Sequence, residues 1–139
     1  MSAEAIASTD KGATLGLVLA PVAMAALTLG YVHAVDPNSP GHYPVCPFRS
    51  VTGLYCPGCG TLRALHAVVA GQPGTALHDN VLTIAALPLL AWLWWRWARG
   101  RLTGVPPRPV PAAAIWVLLA LVVGFGVVRN LPFGQALAP

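Results

Sequence analysis

ATLGLVLAPVAMAALTLGYVHAV, residues 13–35, is a 23-residue apolar run without a single charged side chain. A helix needs about 20 such residues to cross roughly 30 Å of hydrocarbon, so the run is long enough to span. The competing reading is a secretory signal, whose apolar core is shorter, about 7 to 15 residues, and follows a basic flank. Here Lys11 is offset by Glu4 and Asp10, and Tyr31 and His33 stand at the far end. The run is therefore expected to persist as a membrane span.

Two further runs follow. Val81–Trp97 is expected to be capped by Asp79 or Asn80, whose side-chain oxygens accept bonds from the first free amides. Pro88 should kink it, because proline lacks the donor and crowds the preceding turn. Its far end reads WLWWRWARGR, residues 92–101. Trp92, Trp94, Trp95 and Trp97 form a boundary belt rather than a ligand cage, and Arg96 and Arg99 reach the headgroups. Pro111–Val128 is uncharged over 18 residues and is closed by Arg129 and Asn130; Arg129 reads as an anchor at the outer surface.

Composition agrees. Of 139 residues, 56% are hydrophobic and 9% charged, against about a quarter charged in a soluble domain. The +4 net charge comes from eight basic residues, seven of them arginine. They form no run, which argues against a nucleic-acid footprint. The expected partners are the lipid bilayer and a membrane protein. The expected fold is an all-α membrane protein in one domain, residues 1–139. It has three transmembrane helices (13–35, 81–97 and 111–128). A cysteine loop and a short interfacial helix occupy 36–80, between the first and second.

Arginine distribution orients the chain. Arg96, Arg99, Arg101 and Arg108 crowd the loop between the second and third spans, whereas 36–80 carries only Arg49 and Arg63. Short basic loops stay cytoplasmic. The N-terminus and the 96–108 loop are thus expected inside, and the cysteine loop outside. Abundant Ala, Val, Leu, Gly, Pro and Arg with a single Lys suggest a bacterial cell membrane.

The cysteine loop opens with turn chemistry, DPNSPGH (36–42), and continues VCPFRSVTGLYCPGCG (45–60). Thr61 then starts a short helix, with Leu62, Leu65, His66 and Val69 on one stripe and Gly71 as its stop. GQPG turns the chain and TALHDN leads into the second span. Cys46, Cys56 and Cys59 are the only cysteines. CPGCG has the form of a metal knuckle: proline presets the turn, and the glycines allow positive φ and free amides facing sulfur. Structural zinc takes four ligands. With three thiolates, the fourth would be His66 or, alternatively, His42; His33 and His78 are more distant. A second reading is a thiol–disulfide oxidoreductase using Cys56 and Cys59 with Cys46 as partner. There Cys59, just before the Thr61 helix and near Arg63, would have a lowered pKa. A third is a plain disulfide beside a packed thiol. Arg63 is a candidate for binding a headgroup, phosphate or carboxylate. No paired carboxylates, phosphate loop or Ser–His–Asp set is present, so enzymatic activity is not the leading expectation.

TGLYCPGCGTLRALHAVVAG (52–71), preceded by CPF and followed by ALHDN, resembles the domain-of-unknown-function 2752 family of small bacterial membrane proteins. The resemblance rests on Cys46, Pro47, Thr52, Gly53, Cys56, Pro57, Cys59, Gly60, Arg63, Ala64, Gly71 and Asn80. Leu62 departs from it, standing where a threonine often precedes the arginine. The resemblance implies a membrane protein with a cysteine core and implies no reaction. The leading expectation is an accessory or interaction protein with a stapled, zinc-binding loop at the outer membrane face.

Overall fold

The computed structural model describes residues 3–39 and 41–138, with side chains described from residue 12 onward. Pro40 and the side chains of Glu4, Asp10 and Lys11, on which the N-terminal flank was judged, lie outside the described residues. Five α-helices follow in order: α1 (Ala3–Ala34), α2 (Pro47–Thr52), α3 (Thr61–Val69), α4 (Pro73–Thr103) and α5 (Ala112–Val128). A short 3₁₀ helix, Pro132–Leu137, completes the chain, and no strand occurs among the described residues.

Gly12–Ala34 of α1 and Pro73–Thr103 of α4 are long and apolar enough to cross a membrane, while α5 is a shorter apolar helix of 17 residues. At about 1.5 Å per residue, α5 measures roughly 25 Å. These helices turn their large side chains outward: Leu17, Leu27, Trp116, Leu121 and Val123 are all exposed. A soluble monomer rarely leaves so continuous an apolar surface to water. The helices suggest a membrane protein that meets lipid.

α2 was not anticipated, although PFRSVTG carries a helix signature: Pro47 in the first turn and Gly53 at the end, at φ 72°. α3 agrees with the expected helix, and Gly71 ends it at φ 72°. Its buried face differs, however. Ala64 and Ala67 are buried, while Leu62 and Val68 are exposed. α3 packs chiefly on α4, where Ala76 is also buried. Small side chains let two helices approach closely, and Leu62 is left exposed while Leu65 is half-buried.

TALHDN is helical rather than a connector, because α4 begins at Pro73. The non-helical backbone inside α4 falls at Asn80 (φ −163°, ψ 94°), not at Pro88. Asn80 Oδ1 accepts the amide of Thr83 at 3.0 Å, the N-cap geometry expected for the second span. α4 is thus a short helix and a long one, joined at a capping asparagine.

The start of the long part of α4 and the end of α5 meet around the segment between Cys46 and Gly60, and the end of α1 meets α3 beside them. His66 Nδ1 lies 2.8 Å from the carbonyl oxygen of Val32 near the end of α1. Asn80 reaches the carbonyls of Pro57 and Cys59, and Arg129, which follows α5, reaches those of Cys56 and Cys59. Glycine makes two close approaches possible. A Cβ on Gly126 would stand 2.8 Å from Pro57 Cγ, and one on Gly134 would overlap the Val128 carbonyl. Gly124 has open space instead. Gly134→Ala is expected to destabilise by about 2 kcal/mol or more, since the obstacle is backbone and cannot rotate away. Gly124→Ala should be neutral or slightly stabilising, which thermal unfolding of both variants in one detergent would check.

Candidate functional site

CPGCG turns tightly on itself. The Cys59 amide donates to the Cys56 carbonyl at 3.1 Å, and the Cys56 amide donates to Cys59 Sγ at 3.3 Å. Gly60 takes φ 87° to launch α3, a conformation closed to most side chains. The Cys56 and Cys59 sulfurs are 2.9 Å apart, and Cys46 Sγ, at the N-cap of α2, lies 3.5 Å from Cys56 Sγ. All three are free, and their ligand atoms lie within 4.8 Å of one another. A zinc ion holding thiolates at about 2.3 Å needs sulfurs roughly 3.8 Å apart. The Cys56–Cys59 and Cys46–Cys56 separations are both shorter than that, so modest side-chain rotation that spreads the sulfurs would admit an ion.

The other expected site residues sit elsewhere. His66 does not join the sulfurs: its Nδ1 faces Val32, and its Nε2 is 3.9 Å from Asp36 Oδ1. It ties α3 to the end of α1. His42 is also outside the group, and the ring of His33 stacks on that of His66 at 6.4 Å. Arg63 lines an open cavity of about 640 Å³, together with the three cysteines and Arg49. Among the described residues no carboxylate lines this cavity. Arg49 is partly engaged, donating to Tyr55 Oη at 3.0 Å.

The thiols differ in acidity, and not as their sequence positions suggest. The backbone amide of Arg49 holds Cys46 below the ordinary thiol value, and the Cys56 side chain assists. Burial pushes Cys59 up, and its contact with Cys56 adds to this. The expectation of a lowered Cys59 is corrected: its place before α3 is outweighed by desolvation of the charged form.

Beneath the sulfurs lies a frame that sequence reading largely missed. Arg129 is 1% exposed, not an outer-surface anchor. Its Nη1 donates to the carbonyls of Cys56 at 2.9 Å and Cys59 at 3.1 Å, with a longer approach to Pro57; its Nη2 donates to Leu137 at 2.9 Å. Phe125 and Tyr55 flank the guanidinium, their ring centres 4.9 and 5.7 Å away. Asn80, wholly buried, donates to Pro57 at 2.9 Å and Cys59 at 3.0 Å while capping α4. Asn130 pairs with both backbone groups of Tyr55 at 2.8 Å and also donates to Gly126. A polar pair ending an apolar helix was the available signal for Arg129 and Asn130. Nothing in it showed that they face inward.

Residues 46–94 match the family described as Protein of unknown function (DUF2752). The match spans about a third of the chain. The resemblance read from the cysteine motif thus holds, and the matched DUF2752 region contains the three cysteines, Arg63 and Asn80. Arg129 and Asn130 lie beyond it. No curated protein and no solved structure matches the chain.

Asn80→Ala removes one cap bond and two donations to the knuckle, and should cost about 2 to 3 kcal/mol. Asn80→Ser, which keeps a capping oxygen but no amide, should recover about 1 kcal/mol of that in thermal unfolding. In metal-free protein, iodoacetamide should label Cys46 first. Its thiolate persists to lower pH than that of an ordinary cysteine, whereas Cys59 ionises only at higher pH and is buried. Peptide mass mapping across pH 6 to 9 would give that order.

Proposed function

We propose that Cys46, Cys56 and Cys59 hold one zinc ion as thiolates, and that the loaded knuckle staples the junction of three membrane-spanning helices. The observation that carries this reading is Arg129. A cation buried away from water is costly unless an opposite charge lies nearby. Among the described residues Arg129 has no carboxylate partner, and its Nε is buried without any hydrogen-bond partner. Three neutral thiols supply no counter-charge. Three thiolates around Zn²⁺ sum to one negative charge, next to the carbonyls that Arg129 grips. When bound, zinc would supply folding free energy to a loop with little interior of its own.

In this reading α5 is the third span. Its end meets the knuckle together with the start of the long part of α4, and the end of α1 meets α3 beside them, as three alternating crossings require. The arginine loop faces the cytoplasm and the knuckle the outer face of a bacterial membrane. Neither His66 nor His42 stands with the sulfurs, so a fourth ligand would come from the cavity that the three cysteines and Arg63 line. The chain is an accessory or interaction protein, and Arg63 meets an anionic headgroup or a membrane protein partner at that cavity.

A second reading, a thiol–disulfide oxidoreductase, is favoured by the 2.9 Å approach of Cys56 to Cys59 and by the lowered Cys46 beside them. Metal analysis and thiol counting on one detergent-purified sample separate the two. The zinc site predicts about one zinc per chain and three titratable thiols after chelation. A metal-free chain whose Cys56–Cys59 pair cycles in glutathione buffers would replace it with the redox reading. Arg129→Gln should weaken zinc retention by about tenfold or more, and Arg129→Lys by less, since Lys keeps the charge but loses the two-ended grip.

A further inference from the structure

At the opposite end of the molecule, the end of α4 and the 104–111 loop enclose a second open cavity, of about 480 Å³. Its lining includes Trp92, Trp95, Arg96, Arg99 and Arg108. The loop is held there by a close approach: a Cβ on Gly100 would stand 2.8 Å from Pro107 Cδ and 3.0 Å from the Val105 carbonyl oxygen. Arg96 Nη2 donates to the Arg108 carbonyl at 2.8 Å, and its guanidinium lies 4.6 Å from the Trp92 ring centre. Arg96 is thereby committed to fixing the loop. The Arg99 and Arg108 guanidinium groups donate no hydrogen bond and form no ion pair among the described residues.

We infer that this cavity binds the phosphate of an anionic phospholipid, with Arg99 and Arg108 as its ligands. Three features lead there. The first is charge without compensation: residues 80–139 contain no acidic side chain, so nothing in that stretch neutralises the arginines. The second is donor geometry. Two arginines lining one opening suit a tetrahedral phosphate, which each guanidinium can grip in two-pronged fashion. The third separates a lipid from a soluble anion. Trp92 and Trp95 are half exposed on the wall, and exposed Leu89 and Leu90 continue the apolar surface along α4. A ligand with its phosphate in the cavity would lay its acyl chains along that surface, which a free ion cannot use. Basic pockets beside spanning helices recognise anionic headgroups by this combination.

The test uses the full chain in a neutral detergent, with native mass spectrometry of lipid adducts. Phosphatidylglycerol should be retained at low micromolar concentration, and phosphatidylcholine, of the same chain length, about tenfold less well. Arg99→Gln with Arg108→Gln should reduce phosphatidylglycerol retention by about tenfold, with helix content by circular dichroism unchanged. Arg101→Gln removes an equal charge one residue from Gly100 but outside the cavity lining, and should leave retention unchanged. Equal retention of the two lipids would overturn the proposal. So would equal loss in Arg101→Gln, which would assign the effect to diffuse charge. Inorganic phosphate displacing the lipid at equal concentration would assign the site to a soluble anion and equally end it. None of these outcomes depends on zinc at the other end.

Discussion

The guanidinium of Arg129 is the constraint on which the rest of the arrangement depends. It reaches from the end of α5 to carbonyls of Cys56 and Cys59 on one side and of Leu137 on the other. In doing so it binds a loop, a helix end and the C-terminal turn with one planar group. Lysine could supply the charge but not the two directions. Because this cation is out of water, it also sets an electrostatic condition on its surroundings. The carbonyl dipoles and the faces of Phe125 and Tyr55 answer part of it. The sulfurs, if ionised around a metal, would answer the remainder. Structure and proposed chemistry thus meet in one requirement, that a buried positive charge have a negative neighbour.

Asn80 performs the complementary task from the other side. One side chain caps the long part of α4 with its oxygen and holds two knuckle carbonyls with its nitrogen. The break in α4 is therefore part of the site's construction: the backbone leaves helical angles where the asparagine must turn toward the cysteines. Asn130 repeats the idea with Tyr55. Two amides and one guanidinium satisfy backbone groups that a tight CPGC turn would otherwise leave buried and unpaired. The small residues then follow as a packing consequence. Gly126 admits Pro57, Gly134 admits Val128, and Ala64, Ala67 and Ala76 let α3 lie against α4.

Much of this was legible in the chain. The apolar runs, the α3 helix with its glycine stop, the Asn80 cap and the cysteine cluster follow from local periodicity, turn chemistry and spacing. Each depends on residues close in sequence. What was not legible was of one kind. Leu62 stands on the apolar stripe of α3 yet stays exposed, because small residues mark the close helix contact. The non-helical backbone of α4 lies not at Pro88 but at Asn80, where a polar side chain has partners to reach. Cys59 was expected to be the acidic thiol, but the fold buries it.

The sequence by itself determined that this chain is helical, apolar and built around three sulfurs, because hydrophobic length and cysteine spacing are properties of neighbouring residues. Only the tertiary structure decided that Arg129 and Asn130, some seventy residues from the knuckle, complete its frame, and that His66 serves α1 rather than the sulfurs. The physical reason is that a charged residue at the end of an apolar helix has two stable fates. It can turn to the headgroups, or inward to unpaired carbonyls, and only the packing of the other helix ends shows which partners are within reach.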